Sequence, residues 1–593
     1  MHRAFYQPDE FVVTGLQSGC CAIQRVPECT HPLPYFYRCI RNKITPLPLW
    51  WFTAACNSAM AADPDVKRII MKDSFFRSMT WLHTWVGLLF CWLLWLVFFA
   101  GTLSFFRQEI TLWSKPELHP HSIEVQSSQQ ALLDYGFERL NTEAPDAARW
   151  WISLPSERNS LLRVSHLPYA EPGEKASWVN HNLAADSKEP VTPRESKGGS
   201  FFYRLHFDLH YMDRTTARWI VCLASLFMLV ALVSGIVIHK RIFKDMFQFR
   251  AGKGSRSWLD GHNLSSVLAL PFHLMITYTG LITLIFTLFP YPAQTVYDDG
   301  VKEFRKEFYP ERQRPQLSNQ TLTAPAFAQS LDHFFTNWPE QPISRIIIDH
   351  PRDAAAIMKI YGANRSEIKD EQAVWLYSGQ TGELLNTVHL EDSTAAQLYG
   401  GMIAMHTGRL ASPGLRWLYF LCGLAGCAMI ASGCVMWAKR IRERQKPTQP
   451  ASFGLKLVES LNLAAIMGLP LATAAFFYAN RLLPVSNSGR ADQEVLAFFL
   501  TWAATMLFAA KWRNAQGWRT LALANAFVWL MLPLCNALTT QGNLARYISS
   551  GQWSLAMFDI LALLAAAVFF WQSKKLQFAR QARPQRARRE RAA

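Results

Sequence analysis

Half of the chain's 593 residues are hydrophobic, 13% are aromatic and 18% are charged. A soluble globular chain carries about a quarter charged residues, so the composition excludes an ordinary soluble protein of this size. The net charge of +16 does not point to nucleic acid, because Lys and Arg gather at alternate ends of apolar windows, where they set membrane orientation and contact the lipid surface.

In chain order, residues 1–70 come first, without clear periodicity. They lack the basic start, apolar core and cleavage site of a signal peptide, and Cys20, Cys21, Cys29, Cys39 and Cys56 crowd there without a recognisable framework. Met71-Lys-Asp-Ser-Phe-Phe-Arg reads like a natural start, so residues 1–70 are expected to be a disordered extension or an upstream misannotation. Windows of about 20 nearly uncharged residues, long enough to cross roughly 30 Å of hydrocarbon, then predict eight spans. They are Trp81–Phe106, Trp219–Ile238, Leu264–Phe289, Leu415–Trp437, Leu463–Tyr478, Val495–Ala510, Leu521–Leu538 and Leu555–Trp571. The last four are shorter or less clean. Basic clusters at Lys67–Arg77, Lys240–Arg256, Lys439–Lys446, Lys511–Arg519 and Lys574–Arg591 all fall on one side of such a bundle. The positive-inside rule makes that side, with both termini, cytoplasmic. Cys91, Cys222, Cys422, Cys427, Cys434 and Cys535 lie in or near spans and read as small apolar fillers. There is no Cys-x-x-Cys for thiol redox work or covalent haem attachment.

The polar segments between spans one and two, and between spans three and four, are predicted to be two small external α+β domains. Strands are expected at Ala148–Leu154, Ser160–His166 and Lys175–Asn180 in the first, and at Ser344–Asp349, Ala373–Ser378 and Leu384–Val388 in the second. Gly379-Gln-Thr-Gly-Glu supplies a turn before the last of these.

The strongest signal is an internal repeat. Span one carries His83, then Gly101; span three carries His262, then Gly280, the histidine in both cases 18 residues before the glycine. Leu209-His210 precedes Ser234-Gly235 in span two, as Met405-His406 precedes Ser432-Gly433 in span four. Parallel repetition suits a pseudo-twofold axis along the membrane normal. Such an axis places His83 opposite His262 at one depth and His210 opposite His406 at another, the arrangement of axial ligands on two haem irons. A lone histidine near a helix end is usually an interfacial polar residue, and buried histidines also serve proton relays; the pairing is what points to ligation. His206, one turn before His210, is an alternative outer ligand. His273, deeper in span three, is either a further ligand, a proton carrier or a buried hydrogen-bonded histidine, and His239 reads as interfacial. Gly87, Gly101, Gly235, Gly280 and Gly433 would let helices or a flat macrocycle approach closely.

Leu82-His-Thr-Trp-Val-Gly, Arg241-Ile-Phe-Lys-Asp-Met-Phe-Gln-Phe-Arg, Ser257-Trp-Leu-Asp-Gly-His-Asn, Leu268-Ala-Leu-Pro-Phe-His-Leu-Met-Ile-Thr-Tyr-Thr-Gly and His406-Thr-Gly-Arg resemble the PepSY-associated transmembrane family across roughly residues 71–575. Ser266 departs from the pattern, standing where the first repeat has Gly87. The resemblance implies a bacterial inner-membrane protein with two PepSY-like periplasmic domains and two haem b groups. It carries axial ligation onto His83, His210, His262 and His406, with His273 and His206 in contention. The implied layout is an extension (1–70), helix one (71–110), domain one (111–215), helix two with a basic loop (216–262), helix three (263–290), domain two (291–405), helix four (406–445), helices five to eight (446–575) and a basic tail (576–593). The fold class is an all-α polytopic bundle carrying two small α+β domains.

The resulting expectation is a haem-dependent oxidoreductase that passes electrons across the bilayer to a periplasmic ferric siderophore and releases Fe(II). No Gly-x-Gly-x-x-Gly follows a strand, so the donor is a quinol or a separate reductase. The rival reading is an inner-membrane transporter or binding scaffold for siderophore or iron, since parallel repeats and a mid-membrane histidine also suit alternating access; a regulatory or assembly role is the third.

Overall fold

A computed structural model of the chain describes residues 11–13, 23–25 and 64–592, apart from 122–126, 157, 171–172, 240, 247–249, 251, 253, 364–371, 390–392, 410 and 447–448. Residues 1–78 and 79–593 form separate units. In the first, β1 (Phe11–Val13) pairs antiparallel with β2 (Ile23–Arg25), and helix α1 begins at Pro64 and runs to Ser104. Most of residues 1–70, with Cys20, Cys21, Cys29, Cys39 and Cys56, lies outside the described residues.

Seven helices among the described residues are long and apolar enough to cross a membrane, or eight if one bent pair is a single span. These are α1; α5 (Arg214–Ile238); α10 (Pro413–Arg444); the consecutive α11 (Phe453–Ile466) and α12 (Gly468–Leu482); α13 (Arg490–Lys511); α14 (Ala515–Thr539); and α15 (Trp553–Ala592). The expected third span breaks instead into α6 (Ser255–Leu268) and α7 (Leu270–Thr283), bent by 67° at Ala269. Pro271 explains the bend, because its ring removes one N–H and clashes with the carbonyl a turn earlier. Span four falls within α10 as expected, but His406 does not belong to that helix: it sits on a separate one, α9 (Thr394–Thr407), which Gly408 ends at φ +61°. Ser412 then caps α10, accepting a hydrogen bond from the Leu415 N–H, with Pro413 at the first helical position, where its missing N–H costs nothing.

Short helices α2 (Arg107–Trp113) and α4 (Gly199–Asp208) flank the first polar segment. Helices α11 to α15 dock on α2 through buried polar groups. The Arg481 guanidinium lies 3.6 Å over Trp113 and donates to Asn536 at 2.8 Å, and Trp113 donates to Asp559 at 3.1 Å. Asn480 donates to the Ser114 carbonyl at 3.0 Å and to Glu494 at 2.7 Å, and Glu494 pairs with Arg490 at 2.7 Å, both fully buried. In the buried Arg490–Glu494 pair each charge has its partner; removing one partner of such a pair costs about 3–5 kcal/mol.

The two polar segments do not form two domains. Their strands join one antiparallel sheet in the order β5-β4-β3-β6-β7-β8-β9. The first segment contributes α3 (Gln129–Glu143), β3 (Arg149–Ser153), β4 (Leu161–Leu167) and β5 (Val179–Ala184). The second contributes α8 (Phe327–Asn337), β6 (Ile343–Asp349), β7 (Ile357–Gly362), β8 (Val374–Ser378) and β9 (Leu384–Val388). At the seam β3 faces β6, Trp151 opposite Ile347. Alternation sorts the sheet's two faces. Trp150, Ile152, Ile346, Ile348, Met358 and Ile360 pack with Leu132, Leu133, Leu331 and Phe334 of α3 and α8. Arg149, Trp151, Arg345, Ile347, Lys359 and Tyr361 point the other way, into a cavity. Neither segment alone covers its apolar face as fully as the joined sheet does, since this core draws on both.

Candidate functional site

Four histidines on four different helices meet in two pairs. His83 of α1 and His262 of α6 have ring centroids 6.3 Å apart with planes crossing at 71°. His206 of α4 and His406 of α9 have centroids 6.0 Å apart with planes at 26°. His210 is not the partner of His406. Helix α4 ends at Asp208, and Leu209, His210 and Tyr211 all adopt positive φ, which turns the His210 ring away onto Phe499 at 5.6 Å.

Each of the four imidazoles is held the same way. Nδ1 of His83 lies 2.8 Å from the Ala231 carbonyl, of His206 2.7 Å from Val97, of His262 2.8 Å from Met429 and of His406 3.0 Å from Ile276. A carbonyl only accepts, so the proton in each ring is on Nδ1, and Nε2 keeps its lone pair. No hydrogen bond among the described residues engages any of these four Nε2 atoms. The residue four beyond each accepting carbonyl is a glycine: Gly235, Gly101, Gly433 and Gly280 respectively. A Cβ added there would lie 3.1, 2.7, 3.3 and 2.8 Å from Cε1 of the facing histidine. The glycines thus open a notch on each helix so that an imidazole edge can reach its backbone. Gly87, by contrast, faces nothing within 4 Å, and Ser266 donates back to the His262 carbonyl at 2.6 Å, so the departure at Ser266 disturbs no close contact.

Every acceptor lies on a spanning helix other than the one that carries its histidine. The carbonyl and glycine for His83 lie on α5, and those for His206 lie on α1; those for His262 lie on α10, and those for His406 on α7. His273 stands apart: fully buried, with Nε2 3.3 Å from the Cys422 carbonyl and Nδ1 unpartnered, beside Phe98 and without a second histidine. His239 accepts from Asn263 Nδ2 at 2.8 Å, bracing α6 next to His262.

Two neutral imidazoles with free Nε2 lone pairs suit a metal that brings its other ligands with it. Among the described residues no group of three or more His, Cys, Asp or Glu converges as a bare ion requires. Metal–imidazole bonds of about 2.0 Å, with about 1.15 Å from Nε2 to the ring centre, would set two coaxial imidazoles roughly 6.3 Å apart. The observed 6.3 and 6.0 Å spacings fit that requirement. Backbone-anchored Nδ1–H groups are also the usual outer support of a ligating histidine.

The His206–His406 pair lines a cavity of 3020 Å³ that extends to the exposed face of the sheet; neither His83 nor His262 lines it. Phe98, Phe272, Ile276 and Met228 make its apolar part near the pair, whereas Arg107, Arg345, Lys359 and Arg409 line the part toward the sheet. Burial pushes the pKa of Arg107, Lys115, Arg163 and Arg345 below the ordinary range, as withdrawal of water from a cation must.

Residues 80–440, more than half of the chain, match the family described as the PepSY-associated TM region. The chain is also 24% identical over 335 residues to the uncharacterized protein PA4219 of Pseudomonas aeruginosa, covering 51% of this chain and 78% of that protein.

Proposed function

The chain belongs to the PepSY-associated TM family of membrane proteins, and from that premise we propose that it is a di-haem b electron-transfer protein that reduces ferric siderophores. The observation that supports this is the fourfold recurrence of one anchor, in which a histidine donates to a helical carbonyl whose register-mate is glycine. In this reading His83 and His262 hold one haem and His206 and His406 the other, His206 replacing His210. Bound haem supplies reversible one-electron chemistry, which no side chain of this fold offers by itself.

The residues' own contribution is placement. Gly101 lies 18 positions beyond His83 on α1, which at 1.5 Å per residue separates the two pairs by about 27 Å, nearly the thickness of the hydrocarbon core. The Nδ1–H anchors fix each ring against rotation, so Nε2 is presented without a reorganisation cost. The apolar lining around the sheet-end pair excludes water, and the charged lining beyond it receives substrate. In this reading the far end faces the cytoplasm and the sheet the periplasm of a bacterial inner membrane, as the basic clusters would favour. The sheet is read as two PepSY-like modules fused across β3 and β6, the whole as an internal repeat, and the bent α6–α7 as the eighth span. The electron donor would be a quinol or a separate reductase.

Purified protein is expected to show a reducible haem b spectrum with two haems per chain. Because the two pairs hold their planes differently, it should also show two distinct low-spin ferric resonances. Protein purified without any haem absorbance after expression with haem supplied would overturn the reading.

A further inference from the structure

We infer that the cavity beside the His206–His406 pair binds a multiply anionic chelate, whose oxygen donors leave net negative charge on the complex. That the chelate carries iron(III) rests on the reductase reading above; the anion site rests on the charge pattern alone.

The cavity lining holds twelve Lys and Arg but only two acids, Glu109 and Glu311; both acids are engaged, and behind the lining Arg149 and Lys359 pair with Asp349, Arg218 with Asp208 and Lys197 with Asp492. Glu109 takes Arg158 at 2.6 Å and Arg416 at 3.1 Å, and Glu311 takes Arg312 at 3.3 Å. Among the described residues Arg107, Lys115, Arg163 and Arg345 have no ion pair at all. Two of them are held in place by aromatic faces instead. Arg345 lies 3.9 Å over Tyr361 and 5.6 Å over Trp151, and Arg107 lies 4.6 Å over Tyr203. Stacking fixes a guanidinium plane; Arg345 donates from Nη1 to Gln372 at 2.7 Å and Arg107 from Nε to Ser200 at 3.1 Å, which leaves their other N–H groups, among them the buried Nε of Arg345 that has no acceptor, for an oxygen ligand. Like charges, Arg107 from α2 and Arg345 from β6, line this one space. Such a group is electrostatically unfavourable until an anion enters, and it would draw anions in from a distance.

The lining points to a second ligand besides a group held by the histidines. Part of the 3020 Å³ is an open groove beside exposed Leu421, Leu424, Leu564 and Val568 of α10 and α15, whereas the cations line the part toward the sheet. A haem would bring carboxylates of its own, but Arg345 stands on the sheet, and with Lys115 and Arg163 it lies away from the helices that carry the histidines.

The test uses the full-length protein in nanodiscs and gallium(III) complexes, because gallium(III) stays unreduced and binding is then read apart from electron transfer. The triply negative tris(catecholate) complex is expected to bind at least about tenfold more tightly than a neutral tris(hydroxamate), with an advantage that shrinks as salt rises. Arg345→Gln and Arg107→Gln should each weaken the catecholate complex about tenfold and leave the neutral one unchanged, while Arg345→Lys keeps part of the preference. Equal binding of the two complexes, or catecholate binding indifferent to salt and to both Gln substitutions, would overturn the inference. Haem absorbance on the same samples separates the remaining cases. If the Gln variants lose haem while catecholate binding is unchanged, the guanidiniums serve haem carboxylates and the inference fails. If wild-type protein binds the anion but contains no haem, the reductase reading fails and the anion site stands.

Discussion

At the far end of the bundle His83 and His262 cross at 71°, whereas at the sheet end His206 and His406 lie within 26° of parallel. The anchoring is the same at both ends, a carbonyl followed four residues later by glycine, always on a long or bent spanning helix. What differs is the element that carries the imidazole. At the far end the carriers are α1 and α6, themselves in the bundle. At the sheet end they are α4 and α9, short helices that close the polar segments before the chain re-enters the bundle. The carbonyl and glycine therefore belong to the rigid part in both places, and the sheet-end histidines belong to the part that also shapes the cavity. One pair lies within the bundle, and the other adjoins a cavity that reaches the sheet.

Exchanging the two outer candidates tests this comparison most severely. If the proposed haems are bound, His206→Ala should remove the sheet-end one and halve the haem per chain, as should His406→Ala, while His83→Ala or His262→Ala removes the far-end one. His210→Ala should leave haem content unchanged, because its ring packs on Phe499 beyond the end of α4. Haem quantified against protein, with the two ferric resonances followed separately, checks all five variants. Loss on His210→Ala with retention on His206→Ala would reverse the pairing.

That choice was not legible in the sequence, and the reason is local. Leu205-His206 and Leu209-His210 are the same dipeptide one helical turn apart, so both project from one face for as long as the helix lasts. Where α4 stops decides between them, and no glycine or proline marks the stop; three consecutive non-glycine residues take positive φ instead. The apolar windows, by contrast, are long enough to mark nearly every span, and the exception is the bend at Ala269, where Pro271 breaks the helix. Strands β6, β8 and β9 lie where alternation predicts them. Strand β7 escaped because Lys359 interrupts its apolar run, and that lysine is buried against Asp349 at 2.7 Å. The joining of β3 to β6, almost 200 residues apart, leaves no local trace at all. The glycines were visible, but their partners were not: they admit imidazoles, where sequence alone suggested helix packing or a macrocycle.

Adding one methyl group to each of those glycines sharpens the comparison further. Gly101→Ala and Gly280→Ala put a Cβ at 2.7 and 2.8 Å from imidazole carbon, closer than real contacts allow, whereas Gly235→Ala and Gly433→Ala give 3.1 and 3.3 Å. A few tenths of an ångström can be absorbed by a small ring shift, but the sheet-end rings must leave their carbonyls. Overpacking of this kind costs about 1–3 kcal/mol. Sheet-end haem occupancy is therefore expected to fall by more than half in the first two variants and to stay near full in the last two. A uniform effect across all four, read from the separate ferric resonances, would mean the two notches are equally tolerant and the asymmetry is unimportant.

The finest difference lies one residue before each glycine. Ser234, Ser432 and Thr279 place a hydroxyl 3.3, 3.5 and 3.3 Å from Nδ1 of His83, His262 and His406, and in each case the hydroxyl also donates to backbone carbonyls of its own helix. The corresponding residue for His206 is Ala100, which is fully buried and has no hydroxyl. His206 therefore relies on its carbonyl alone, with the shortest of the four bonds, at 2.7 Å. Removing a hydroxyl with Ser234→Ala or Ser432→Ala should change haem affinity or potential by no more than the roughly 0.5–1.5 kcal/mol of one hydrogen bond. Ala100→Ser is the informative counterpart. Its hydroxyl can bond back to its own helix as Ser234 does, and it would then weaken the carbonyl's hold on His206 by sharing the same acceptor. A small shift confined to the sheet-end resonance and potential is the expected outcome, and a shift at the far end would break the assignment of Ala100 to His206.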